Sequence, residues 1–295
     1  MLLEKSIKIQ GIAFVILAFF VSLISAYTSL AFENTYLVII ALFIIILGVP
    51  HGSLDTLFAQ ELLGLNQPRK WARFIFNYVI IALIVILFWM ILPTLFLLLF
   101  LIISCIHFAD DLVAGTPIFY RILYGGIIIF LPALSYTDEL ARLYSFLIEA
   151  EHAQLIVRCM RMLAFAWLFG LGIASYKLLK TNILTSLEIV SVAGLAIICP
   201  PLLAFTVYFC GMHSFRHVIR STHFLSVTSP KLLLMSLIAP TLAVLVAAYF
   251  FWHFMRPSAI DAAIVKMIFV ALAALTVPHM ILLSKSGFTR WVKVT

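Results

Sequence analysis

Apolar stretches long enough to cross a bilayer follow one another from Gly11 almost to the C-terminus, separated by short polar breaks. A bilayer core takes about 20 mostly apolar residues per helix. The pattern therefore predicts an all-α, polytopic transmembrane bundle of about ten spans. They are expected at Gly11–Ala31, Tyr36–Gln60, Ala72–Ile91, Thr94–Leu112, Phe119–Tyr136, Leu155–Tyr176, Ile183–Cys199, Pro201–Ser221, Leu232–Phe254 and Ala262–Leu283. Composition excludes a soluble alternative, because 65% of the 295 residues are hydrophobic and 11% charged, where soluble domains carry roughly a quarter charged. Outer-membrane strands would alternate apolar and polar positions over about ten residues, and runs such as Leu95–Ile103 do not alternate. No linker or low-complexity tract divides the chain, so residues 1–295 read as a single membrane-embedded domain of the cell (inner) membrane.

The net charge of +7 follows the positive-inside rule and does not point to nucleic acid. With both termini cytoplasmic, the inner segments hold Lys5, Lys8, Arg69, Lys70, Arg73, Arg121, Lys177, Lys180, Arg216, Arg220, Lys231, Lys285, Arg290 and Lys293. The outer segments keep Arg142, Arg158, Arg161, Arg256 and Lys266. A signal peptide is the weaker reading of the first span, since no clean small-x-small site follows it near Ala26. The cysteines Cys105, Cys159, Cys199 and Cys210 all fall within spans and read as small packing groups. The longest polar interruption, Thr137–Gln154, is expected as an interfacial helix on the outer side. Pro50 and Pro278 lie inside spans, each directly followed by histidine, and should kink their helices.

Five of the eight histidines, His51, His107, His213, His217 and His279, fall in even-numbered spans that share one direction. At about 1.5 Å rise per residue they sit roughly 18–26 Å below the outer surface, so four helices deliver imidazoles to one layer. Ionisable groups inside spans are costly and tend to face the bundle interior. His213 and His217 stand at i and i+4 on one helix face, and with His51 and His107 they form a four-imidazole metal shell. Asp55, Asp110 and Asp111, three or four residues after a histidine, are candidates to orient those rings. For Asp110 and Asp111 the plainer role is capping the membrane boundary. Imidazole suits iron, copper, zinc or nickel, and the sequence does not choose among them. His152, His223 and His253 read as structural.

The stretches Pro50-His51-Gly52-Ser53-Leu54-Asp55, His107-Phe108-Ala109-Asp110-Asp111, His213-Ser214-Phe215-Arg216-His217 and Pro278-His279 together resemble the Brp/Blh family of membrane-embedded β-carotene 15,15'-dioxygenases. The resemblance runs from the second span to the tenth. It implies Fe(2+) on His51, His107, His213 and His217, a lipid-soluble polyene such as β-carotene and dioxygen as substrates, retinal as product and a functional link to a microbial rhodopsin. A hydrophobic tunnel is then expected, with His279, Phe108 and Phe215 shaping it and Pro278 bending its helix toward the site. His279 is expected outside the ligand set, because four imidazoles already leave little room for dioxygen. One departure is Ala109, where the family pattern has glycine, and it narrows close backbone approach there. Competing readings are a di-iron desaturase or hydroxylase, which would carry about eight histidines in several boxes, a haem-binding electron carrier, and a metal transporter.

Overall fold

The computed structural model describes residues 2–28, 34–113, 115–227, 229–255 and 259–288. Arg256, Arg290 and Lys293 of the charge pattern lie outside the described residues, as do Ala31 and Pro257. All regular structure among the described residues is helical. The helices are α1 Leu2–Tyr27, α2 Thr35–Leu63, α3 Pro68–Ile91, α4 Pro93–Asp111, α5 Ile118–Ser135, α6 Thr137–Ser145, α7 Ala150–Leu179, α8 Ile183–Ile198, α9 residues 201–224, α10 Pro230–Met255 and α11 Ile260–Ser286. Eight of the ten expected spans are helices long and apolar enough to cross a membrane: α1 to α5, α7, α10 and α11. The seventh expected span is the shorter apolar helix α8. The eighth is α9, whose second half carries Arg216, His217, Arg220 and His223.

Local chemistry sets most boundaries. Proline opens α3, α4 and α9, where its missing N–H costs nothing and its fixed φ suits the first turn. Asn182 caps α8 by accepting the Thr185 N–H at 3.1 Å. Gly64 and Gly287 close α2 and α11 in the left-handed region, with φ of 54° and 77°, a conformation glycine adopts without a Cβ penalty. The expected interfacial segment divides: Thr137–Ser145 forms α6, which buries Leu140, Leu143 and Tyr144, and Ala150–Gln154 instead opens α7. Arg142 of α6 is tied to Asp261 at 3.0 Å.

Two helices change pitch where the histidines sit. Pro50 lacks an N–H and its ring displaces the carbonyl one turn back. The turn before it is a π segment, Ile44–Gly48, closed by Val49 N–H donating to Ile44 O at 2.9 Å. A second π segment, Phe209–Ser214, contains His213. The two pack together: a Cβ on Gly48 would collide with the Phe209 ring, and Ser214 Oγ donates to Gly48 O at 3.2 Å. Such π turns are rare and recur at functional sites. The main core draws on α1, α2, α4 to α9 and α11. In contrast, α3 and the apolar stretch of α10 bury no residue and lie on the outside.

Candidate metal centre

His51, His107, His213, His217 and His279 meet inside the bundle. The His51 ring centre lies 5.1 Å from that of His213, 5.4 Å from His217 and 5.2 Å from His279. His107 lies 4.6 Å from His213 and 5.3 Å from His279. All but the half-buried His51 are buried. Shared depth and direction, read from the sequence, thus become shared position.

Three of the five rings have a defined hold. His213 Nδ1–H donates to Asp111 Oδ1 at 2.9 Å, and Tyr208 O–H donates to the other carboxylate oxygen at 2.7 Å. His279 Nδ1–H donates to Asp55 Oδ1 at 2.7 Å, and Tyr78 O–H donates to Asp55 Oδ2 at 2.9 Å. His51 Nδ1–H donates to Gly48 O at 2.5 Å. In all three the bonded Nδ1 leaves Nε2 with its lone pair free, the arrangement that carboxylates and carbonyls impose on metal-binding histidines. His213 Nε2 and His107 Nε2 are 3.1 Å apart, close to the roughly 3.3 Å expected of two nitrogens on one tetrahedral cation with bonds of about 2.0–2.1 Å.

The cluster passes a test of fit for a metal. His217 Nε2 and His279 Nε2 are buried with no hydrogen-bond partner, and an orphaned buried polar atom costs about 1–3 kcal/mol. A cation would satisfy both. His51, His107 and His279 each offer a ligand atom, all within 4.8 Å of one another, the one such group of histidine, cysteine or carboxylate side chains found among the described residues. His279, expected to stand outside the donor set, therefore has donor geometry as well as a place in the cavity wall. A hollow of about 20 Å³ lined in part by His107, His213 and His217 has room for about one water-sized species.

The carboxylates pair across helices, not along them. Asp55 holds His279 of α11 and Asp111 holds His213 of α9, whereas the sequence placed them beside His51 and His107. At Asp55 the reason is local: His51 Nδ1 is already taken by Gly48 O, which leaves the carboxylate to His279. Asp110 touches no histidine and pairs with Arg121, as a boundary residue would. Phe108 is buried, with its ring 4.9 Å from His213. Phe215 is 57% exposed on the outer face of α9, bordering a separate open groove. His152 bonds Thr94 at 3.1 Å and His253 stacks on Tyr249. His223 ends α9, exposed.

A second buried network lies behind the rings, and the sequence reading missed it. Arg216, fully buried, donates to Glu188 at 2.6 and 3.1 Å, to Gln10 Oε1 at 2.8 Å and to Asp111 O at 3.0 Å. Arg220 donates to the carbonyls of Asp110, Asp111 at 2.9 Å and Leu112 at 3.1 Å. The two arginines thus fix the end of α4, from which Asp111 reaches His213. Both were counted as inner flanking charges, and burial removes them from that role. The signal for Glu188 was available: it is the one charged residue in α8.

Beside the histidines an apolar cavity of about 310 Å³ lies between α2, α3, α10 and α11, bordered by His51, Asp55 and His279. Ile75 and Val79 of its wall are 53% and 48% exposed on the outside of the bundle, so it opens sideways between outer helices. Close backbone approach at Ala109 is supplied from α5, where a Cβ on Gly125 would collide with Cys105 O and Ala109 N.

The chain is 29% identical over 254 residues to a β-carotene 15,15'-dioxygenase of an uncultured marine bacterium, 66A03, covering 81% of this chain and 90% of that protein. No solved structure matches it. A sequence model of the β-carotene 15,15'-dioxygenase family matches residues 42–285, the stretch holding every histidine of the cluster, and the chain belongs to that family.

Proposed function

We propose that this chain is a membrane enzyme that cleaves the central double bond of β-carotene, or a closely related carotenoid, with dioxygen to give retinal. The observation that carries the reading is five converging imidazoles beside an apolar cavity that opens toward the lipid. A polyene dissolved in the bilayer reaches such a cavity without crossing water. Under this reading a ferrous ion, held by His51, His107, His213 and His217 with His279 as a further donor, supplies the redox chemistry of dioxygen cleavage when bound.

The protein contributes position and dryness. Asp111 and Asp55 keep the Nδ1 protons of His213 and His279, so that both Nε2 atoms face inward as acceptors. Gly48 O does the same for His51. The cavity wall of Val49, Pro240, Val244, Leu272 and Leu275 aligns an apolar chain and excludes water from the reacting bond. The ten-span arrangement in the cell (inner) membrane, both termini cytoplasmic and one domain throughout, belongs to the same proposal. So does supply of retinal to a microbial rhodopsin.

Expression in β-carotene-producing bacteria tests the reading. Retinal should accumulate at the expense of β-carotene, and the His107→Ala variant should abolish it. Unchanged carotenoid content in cells holding the folded protein would refute the proposal.

A further inference from the structure

Gly52 follows His51 in the helical turn Pro50–Ser53 and borders the cavity of about 310 Å³. Glycine weakens a helix relative to alanine, so a helical glycine needs a local reason. The two ordinary reasons are missing here. Its φ is not among the positive values, which in this chain belong to Gly64, Gly115 and Gly287. A Cβ built on it meets no heavy atom within 4 Å, whereas one on Gly48, Gly125 or Gly126 collides with a neighbour. The fold leaves space at Gly52 and fills it with no atom of its own.

Gly52 borders the cavity that α2, α3, α10 and α11 enclose. Ser53 Oγ and Thr241 Oγ1 are 3.2 Å apart and tie α2 to α10, and Pro240 and Ala243 of α10 line the same cavity as Gly52. His51 lines it too. The cavity lining is mostly apolar, so a hydrocarbon chain suits it better than a polar ligand.

We propose that Gly52 sets the clearance of a slot between α2 and α10 in which the carotenoid chain lies against His51, making residue 52 a determinant of substrate width. The proposal rests on the carotenoid-cleaving reading above. An added methyl group would leave the protein unstrained and intrude only on the occupant, and a single methylene in an apolar pocket alters discrimination by about tenfold or more.

The test uses the full chain, purified in its metal-loaded form, as Gly52→Ala and Gly52→Val. Gly172→Ala serves as control, since Gly172 also has open space at its Cβ but is exposed on α7. Metal content, thermal unfolding, and KM and kcat for β-carotene are measured. Gly52→Ala should keep wild-type metal content and an equal or higher unfolding temperature while kcat/KM falls about tenfold or more. Gly52→Val should fall further and Gly172→Ala should match wild type. Wild-type kcat/KM in Gly52→Ala overturns the slot while leaving the carotenoid reading intact. Loss of metal in Gly52→Ala also overturns it, because the methyl group would then act through the histidines. A wild-type protein that forms no retinal overturns the carotenoid reading, and the occupant assigned to the slot with it.

Discussion

Replacing Asp55 by asparagine isolates the charge of the Asp55–His279 pair from its shape. Asp55 accepts two hydrogen bonds, from His279 Nδ1 at 2.7 Å and from Tyr78 O–H at 2.9 Å. In Asp55→Asn the amide oxygen still accepts from His279. The amide nitrogen donates to the Tyr78 oxygen, whose hydrogen turns to Leu275 O, already 3.4 Å away. The existing partners stay bonded; the negative charge is lost and one amide N–H is left without an acceptor. Hydrogen bonds to charged groups contribute about 1.5–3 kcal/mol against about 0.5–1.5 for neutral ones. The difference, about 1–1.5 kcal/mol, is close to tenfold in an equilibrium constant. This is the lower end of the roughly 10–100-fold range for losing a group that orients a metal-binding histidine. Asp55→Ala also strands the His279 Nδ1–H in a buried site, at about 1–3 kcal/mol more, and should approach hundredfold. Tyr78→Phe removes one acceptor's partner and should cost only a few-fold. Metal retention against a graded chelator series, with the initial rate of retinal formation, reads all three. Wild-type behaviour of Asp55→Asn in both assays would refute the reasoning, as would Tyr78→Phe proving as costly as Asp55→Ala.

Other outcomes follow from the same geometry. His279→Ala should lose metal about as completely as His107→Ala by elemental analysis, because its free Nε2 faces the cluster; full metal content with lost turnover would return His279 to a purely cavity role. Glu188→Ala leaves the buried Arg216 guanidinium unpaired and should destabilise the protein by about 3–5 kcal/mol. The double replacement Arg216→Met, Glu188→Leu should recover most of that in detergent unfolding, though not the hold on Asp111 O, so stability should return further than activity. Phe215→Ala should leave retinal formation unchanged, whereas Phe108→Ala, which opens space against His213, should lower it. Equal effects of the two would contradict the placement of Phe215 on the outer face.

The histidine layer was legible because an imidazole has no apolar excuse for lying inside a bilayer span, and because spans running the same way turn sequence offset into depth. What the sequence did not carry was the pairing of groups on different helices. Asp55 counts as i+4 from His51, and a straight helix would stack the two. His51 bonds Gly48 O instead while both residues border one cavity, and only the contact between α2 and α11 reveals His279 as the partner of Asp55. Asp111 likewise follows His107 yet holds His213, because α4 ends in a tight turn there whose carbonyls Arg216 and Arg220 grip.

Two misplacements were avoidable from the sequence. Positions i and i+2 lie about 200° apart round a helix, which disfavours Phe215 on the His213 face, and Phe215 lies exposed on the outer face of α9. A single glutamate amid the apolar residues of α8 has to be either neutralised or paired. The partner most able to pair with it in the interior is an arginine, whose planar fork matches a carboxylate with two parallel bonds. Arg216 was counted as a cytoplasmic charge because it lies near the predicted end of a span, but Glu188 gave it somewhere else to go. Charge tallies near span ends therefore discriminate topology only after each interior carboxylate has been assigned an arginine or lysine. In this chain the unassigned acid was the sign that one inner charge belonged to the core.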